Sequence, residues 1–141
     1  DNGTNVAVRY KVALGDADVT LLKGLGRAKL MAGEAAEAER LFIRVHELDP
    51  AAFDADVELD YARALEAQGK TEAAIQQYDN LALRYSGEEV RVRLALLLEK
   101  TGQEARAQAL FREAVEATRD APRYYRSRQG DWVKIAKQHL K

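Results

Sequence analysis

The chain offers few residues able to make or break a covalent bond. Two histidines, His46 and His139, are the only imidazoles, and there is no cysteine. The histidines stand far outside the i, i+4 spacing at which a helix presents two ligands to one zinc ion. Thiolate ligands, cysteine nucleophiles and disulfides are excluded outright. Ser86 and Ser127 lack both a nucleophile-elbow context and a following Ser-x-x-Lys pattern. Gly24-Leu25-Gly26 lies within a helical pattern and lacks the third glycine of a dinucleotide fingerprint; no P-loop is present. Carboxylates abound, but on helix surfaces their ordinary work is solvation and pairing with Lys or Arg one turn away. The expectation is a protein that is not an enzyme, with no cofactor and no metal. Both histidines are expected on helix surfaces.

The elements behind these residues are helical. Of 141 residues, 47% are hydrophobic, 32% charged and only 7% aromatic, which suits a folded domain rather than a disordered chain. Ala, Leu, Glu, Gln, Lys and Arg dominate, and these are the good helix formers. No stretch shows sustained period-2 alternation, so the fold class is all-α. The net charge of −1 hides a split: the segment from Arg119 to Lys141 carries +5 and residues 1–118 carry −6. The bland reading of the basic end is a solvated face on a terminal helix. No apolar run is long enough to span a bilayer. Met31 is the only methionine, so the chain reads as a piece of something longer, and a membrane tether upstream is left open.

Three segments align on Gly33, Gly69 and Gly102, spaced by 36 and 33 residues. Five residues after each glycine comes a small residue, four later an aromatic, and three beyond that an apolar residue. These are Ala38, Phe42 and Val45; Ala74, Tyr78 and Leu81; and Ala107, Phe111 and Ala114. Spacings of four and three put each trio on one helical face. The alanine permits close approach of two helices, the aromatic fills the gap beyond, and the glycine ends the preceding helix in a left-handed turn. The preceding helices carry Leu25-Gly26, Tyr61-Ala62 and Leu94-Ala95 at matching positions, and Asp49-Pro50 closes the first unit. Asp18, either Asp54 or Asp56, and Ser86 with Glu89 as a capping box are the expected helix starts.

Over about residues 19–119 this pattern resembles the tetratricopeptide repeat, whose period is about 34 residues. The resemblance implies a right-handed superhelical stack of antiparallel helix pairs in one domain. Its repeats would occupy residues 19–52, 55–86 and 88–119. A two-residue insertion near Phe53-Asp54 and a one-residue deletion near Gly87 depart from the family's spacing. Residues 5–14 carry a looser ruler, Val6, Tyr10 and Ala13, and read as a half repeat. Residues 121–140 read as a C-terminal capping helix, in one piece or broken at Gly130-Asp131. Tyr125, Trp132, Ile135 and His139 share its apolar face, and Trp132 is expected to pack on the last repeat.

The resemblance also implies where a partner would lie, since the first helix of each repeat lines the family's concave surface. The ligand-facing positions that stand out are Lys23, Arg27 and Leu30 in the first repeat. In the second they are Asp56, Asp60, Arg63 and Glu66, and in the third Glu89, Arg93 and Leu96. Members that hold a peptide's terminal carboxylate use a Lys, Asn and Arg set here. Lys23 and Arg93 fit that set, whereas Arg27, Asp60 and Glu89 break it, so binding of a chaperone tail is not expected. The expected function is a non-catalytic scaffold holding a peptide or helix of an unidentified protein, its arginines meeting the partner's carboxylates. The bland alternative is that Arg63 and Arg93 only pair with neighbouring carboxylates. Two other readings stand beside it. One is a homodimer formed through the half repeat; the other is anionic lipid or nucleic acid on the basic C-terminal helix, although no nucleic acid is expected from overall charge. The ending PRYYRSRQGDWVKIAKQHL is similar to the tails of bacterial repeat proteins with an upstream membrane segment. That similarity leaves a cytoplasmic or periplasmic setting open.

Overall fold

The alanine-rich periodicity resolves into eight α-helices in a computed structural model that describes residues 16–141. The half repeat expected at 5–14 lies outside the described residues. The helices are α1 (Asp16–Met31), α2 (Ala35–Leu48), α3 (Ala55–Ala67), α4 (Thr71–Leu81), α5 (Glu89–Lys100), α6 (Glu104–Arg119), α7 (Arg123–Arg128) and α8 (Gly130–His139). No strand occurs among the described residues. The fold is all-α, built of antiparallel helix pairs of the tetratricopeptide type. The chain divides into two compact units, Asp1–Ala74 and Ile75–Lys141, with α4 running through the division.

The glycine at the end of each first helix has the backbone it was expected to need: Gly33, Gly69 and Gly102 have φ of 83°, 76° and 87°. At each, the amide after the glycine reaches back five residues: Glu34 to the Lys29 carbonyl (2.9 Å), Lys70 to Leu65 (3.0 Å) and Gln103 to Leu98 (2.8 Å). This is the Schellman closure, which satisfies carbonyls the helix end would otherwise leave bare. The same turn, repeated three times, reverses the chain after α1, α3 and α5.

All nine residues of the small–aromatic–apolar ruler are fully buried. In the first unit Phe42 lies against Ala35, Ala38, Val57 and Ala64, with Leu30, Phe53 and Tyr61 closing the cluster. Gly26 faces Phe42 so closely that a Cβ built on it would stand 2.6 Å from the ring. Ala62 and Ala95, the matching residues of α3 and α5, are also fully buried. In the second unit Phe111, Leu94, Leu98, Val90 and Leu81 are sealed from solvent.

Helix starts follow expectation only in part. Asp54 caps α3, its Oδ1 accepting the Val57 amide at 3.1 Å. Asp18 lies inside α1 rather than before it, and it is buried. The Ser86–Glu89 capping box is not formed: the residue before α5 is Glu88, and its side chain turns away to other partners. The insertion at Phe53 supplies an aromatic wedge, edge-on to His46 at 5.3 Å and to Tyr61 at 5.6 Å between ring centres. Segment 121–140 is two helices, with Gln129 at the joint between α7 and α8.

Candidate protein-binding faces

The positions expected to face a ligand fall into two sets, one in each unit. In the first unit α1 contributes Lys23, Arg27 and Leu30, and α3 contributes Asp56, Asp60, Arg63 and Glu66. Burial of Asp60 organises this set. Its side chain is 7% exposed and lies between two guanidinium groups, Arg27 at 3.1 Å and Arg63 at 2.7 Å. A carboxylate taken from water must be compensated, and two cations do so here. Arg27 remains 59% exposed while it pairs with this carboxylate. Lys23 reaches Asp54 at 3.5 Å, a weaker surface pair. Leu30 packs on the apolar cluster instead of standing clear, and Asp56 is exposed in the first turn of α3.

In the second unit the set is Glu89, Arg93 and Leu96, all on α5. Arg93 donates from Nε to Glu89 at 2.8 Å and its guanidinium lies over the Trp132 ring, 5.1 Å from the centroid. The tryptophan of α8 thus serves a cation on α5, a role that apolar periodicity alone does not show. Leu96 is half-buried. The structure brings Lys23, Arg27, Asp60 and Arg63 onto one surface and Arg93, Glu89 and Trp132 onto another.

Two polar networks hold these faces, and neither was visible as a motif. In the first unit Glu39 of α2 accepts from Gln68 at 2.7 Å and from Lys70 at 2.8 Å, tying α2 to the turn after α3. Burial pushes the Glu39 carboxyl upward, but the hydrogen bonds from Lys70 and Gln68 outweigh it and hold the group below the usual range. In the second unit Glu88, 2% exposed, accepts from Tyr125 and from Arg91, each at 2.6 Å, while its amide donates to Gln129 at 2.7 Å. Burial, and then the bond to Glu88, push the Tyr125 phenol up to about 12. His139 is no free surface histidine either. It meets Glu99 at 2.7 Å and stacks on Phe111 at 5.2 Å, and Gln108 donates to its carbonyl at 2.8 Å. These contacts dock α8 onto α5 and α6.

Among the described residues, no group of three His, Asp or Glu side chains is placed to hold a metal ion, and no helix is long and apolar enough to cross a membrane.

No family model matches the chain, and no curated protein matches it. Its likeness is to solved structures of low identity. PcrH of Pseudomonas aeruginosa, in complex with the chaperone-binding region of PopB, superposes with a TM-score of 0.73 at 22% identity, covering 89% of this chain and 96% of that one. The type III secretion chaperone SycD of Yersinia enterocolitica, with a peptide of the translocator YopD, gives 0.65 at 20% identity, covering 84% and 92%. A further SycD structure, described as an alternative dimer, gives 0.65 at 20% identity, covering 85% and 92%. At such identities the likeness is one of fold.

Proposed function

We propose that the chain is a non-catalytic scaffold that holds a peptide or helix of another protein against its first-helix faces. The observation that carries this reading is the paired-arginine face of the first unit. There Arg27 and Arg63 are pre-positioned by one buried carboxylate, and Arg27 keeps more than half of its side chain open to solvent. A partner's carboxylate would find a guanidinium already oriented, so little side-chain entropy is lost on binding. Arg93, spread over Trp132, offers a second oriented guanidinium in the other unit. The fold supports the reading, because PcrH and SycD, which share it, are seen with segments of the proteins they chaperone. No set of residues suited to acid–base or nucleophilic chemistry stands on either face, which favours binding over catalysis.

The test uses a partner purified by affinity capture with the full-length protein and then titrated against variants. Arg27→Glu and Arg93→Glu are each expected to weaken binding about tenfold or more, the effect of losing a charge-assisted contact and adding repulsion. Affinity within error of the parent for both variants would remove these faces from the account.

Self-association is the second reading, favoured by the SycD structure described as an alternative dimer. Light scattering over a dilution series tests it, and a mass that stays monomeric at every concentration rules it out.

A further inference from the structure

The basic C-terminal segment folds into a concave site. Helices α6, α7 and α8 surround an open cavity of about 730 Å³, lined by Arg119, Arg126, Lys134 and Lys137 with Val115 and Val133 among its apolar surface. Each cation comes from a position the local helices dictate. Val133, Lys134 and Lys137 stand on one stripe of α8, while Val115 and Arg119 are four apart on α6.

No carboxylate lines the cavity. Four other cations of this unit are paired: Arg91 meets Glu88, Arg93 meets Glu89, Arg106 meets Asp79 and Lys141 meets Glu104. Arg119, Arg126, Lys134 and Lys137 have no ion-pair partner among the described residues, and all four are exposed. Like charges gathered around a partly apolar concavity repel one another, and an anionic occupant relieves that repulsion.

From this we infer that the cavity is a binding site for an acidic peptide segment of another protein, one that alternates carboxylates with branched apolar side chains. The valines take the apolar side chains and the surrounding Lys and Arg take the carboxylates. The volume suits a few residues of peptide rather than a long duplex, and no aromatic ring lines the cavity on which a nucleobase would stack. A bilayer surface reaches a convex basic patch more readily than a recess with valines in its walls. The lining shares no residue with the Arg27–Arg63 face or with the Arg93–Trp132 pair, so the site does not depend on the function proposed above.

The full chain is titrated with a fluorescein-labelled peptide of alternating Glu and Leu, read by fluorescence anisotropy at low and at physiological salt. Phosphatidylglycerol vesicles and an oligothymidylate serve as competing probes. Binding of the peptide is expected at low salt, weakening as salt rises. Lys134→Glu with Lys137→Glu is expected to weaken it about tenfold or more, whereas Lys134→Arg leaves it unchanged. Lys134→Gln with Lys137→Gln, checked for helicity by circular dichroism, replaces the charge reversal if that variant fails to fold. Three results would overturn the assignment: no binding by the parent chain, equal binding by the charge-altered variants, or tighter binding of vesicles or oligothymidylate than of peptide.

Discussion

Two glycines on one turn of α1 make opposite demands on a side chain. Gly26 faces the sealed Phe42 ring, and an added Cβ would stand 2.6 Å from it, whereas Gly24 has nothing within 4 Å. Both lie in a helix interior, where alanine is favoured over glycine by about 1 kcal/mol. Gly24→Ala should therefore stabilise the chain by about 0.5–1 kcal/mol. Gly26→Ala should destabilise it by about 1–2 kcal/mol, because overpacking a tight core exceeds the gain in helix propensity. Urea unfolding of the two variants checks the pair, and the same sign in both would contradict the packing described. Tyr125 makes a pH-dependent contribution. Its phenol is raised in the folded chain to about 12, from about 10 unfolded, so its bond to Glu88 stabilises fully below pH about 10 and is lost as pH rises through about 12. Tyr125→Phe should lower stability at neutral pH and flatten the loss across that alkaline window, measured by urea melts at each pH. Glu39 works in the opposite sense. Its depressed carboxyl contributes above the ordinary glutamate range, and that contribution fades as pH falls through the folded value.

Individual helices were legible because their signals are local. Each trio of small, aromatic and apolar residues is fully buried, and the three glycines close three identical turns. Periodicity and a left-handed turn need only a few neighbouring residues to be recognised. The start of α5 was misread because Ser86 and Glu89 match a capping pattern, yet Glu88 is drawn into a network with Tyr125 and Gln129, residues some forty positions on. A partner so distant leaves no trace in local spacing, and the same holds for His139 with Glu99 and for Trp132 with Arg93. The joint between α7 and α8 tests this account at the element scale. Gln129→Ala should leave the buried Glu88 amide without its acceptor and cost about 1–3 kcal/mol. Hydrogen exchange should then show faster opening of α8 with α2 unchanged; equal protection of α8 in parent and variant would contradict it.

For the molecule as a whole, helical class and repeat-like organisation could be read from composition and periodicity, while the character of the candidate faces could not. The family resemblance marks Arg27, Asp60 and Arg63 as positions expected to face a ligand. That Asp60 is buried between both guanidiniums depends on how α1 meets α3, a tertiary fact. The same limit hid the carboxylate-free cavity of the C-terminal helices, whose cations read in sequence only as a basic, solvated end. The central claim is that a protein partner lies against the first helices of the repeats. It is tested most directly by mapping amide and side-chain NMR shifts of the chain on addition of the captured partner. Perturbations concentrated at Lys23, Arg27, Asp60 and Arg63 in one unit and at Glu89, Arg93, Leu96 and Trp132 in the other are the predicted result. Perturbations confined to the outward surfaces of α2 and α6, with these residues unmoved, would contradict it.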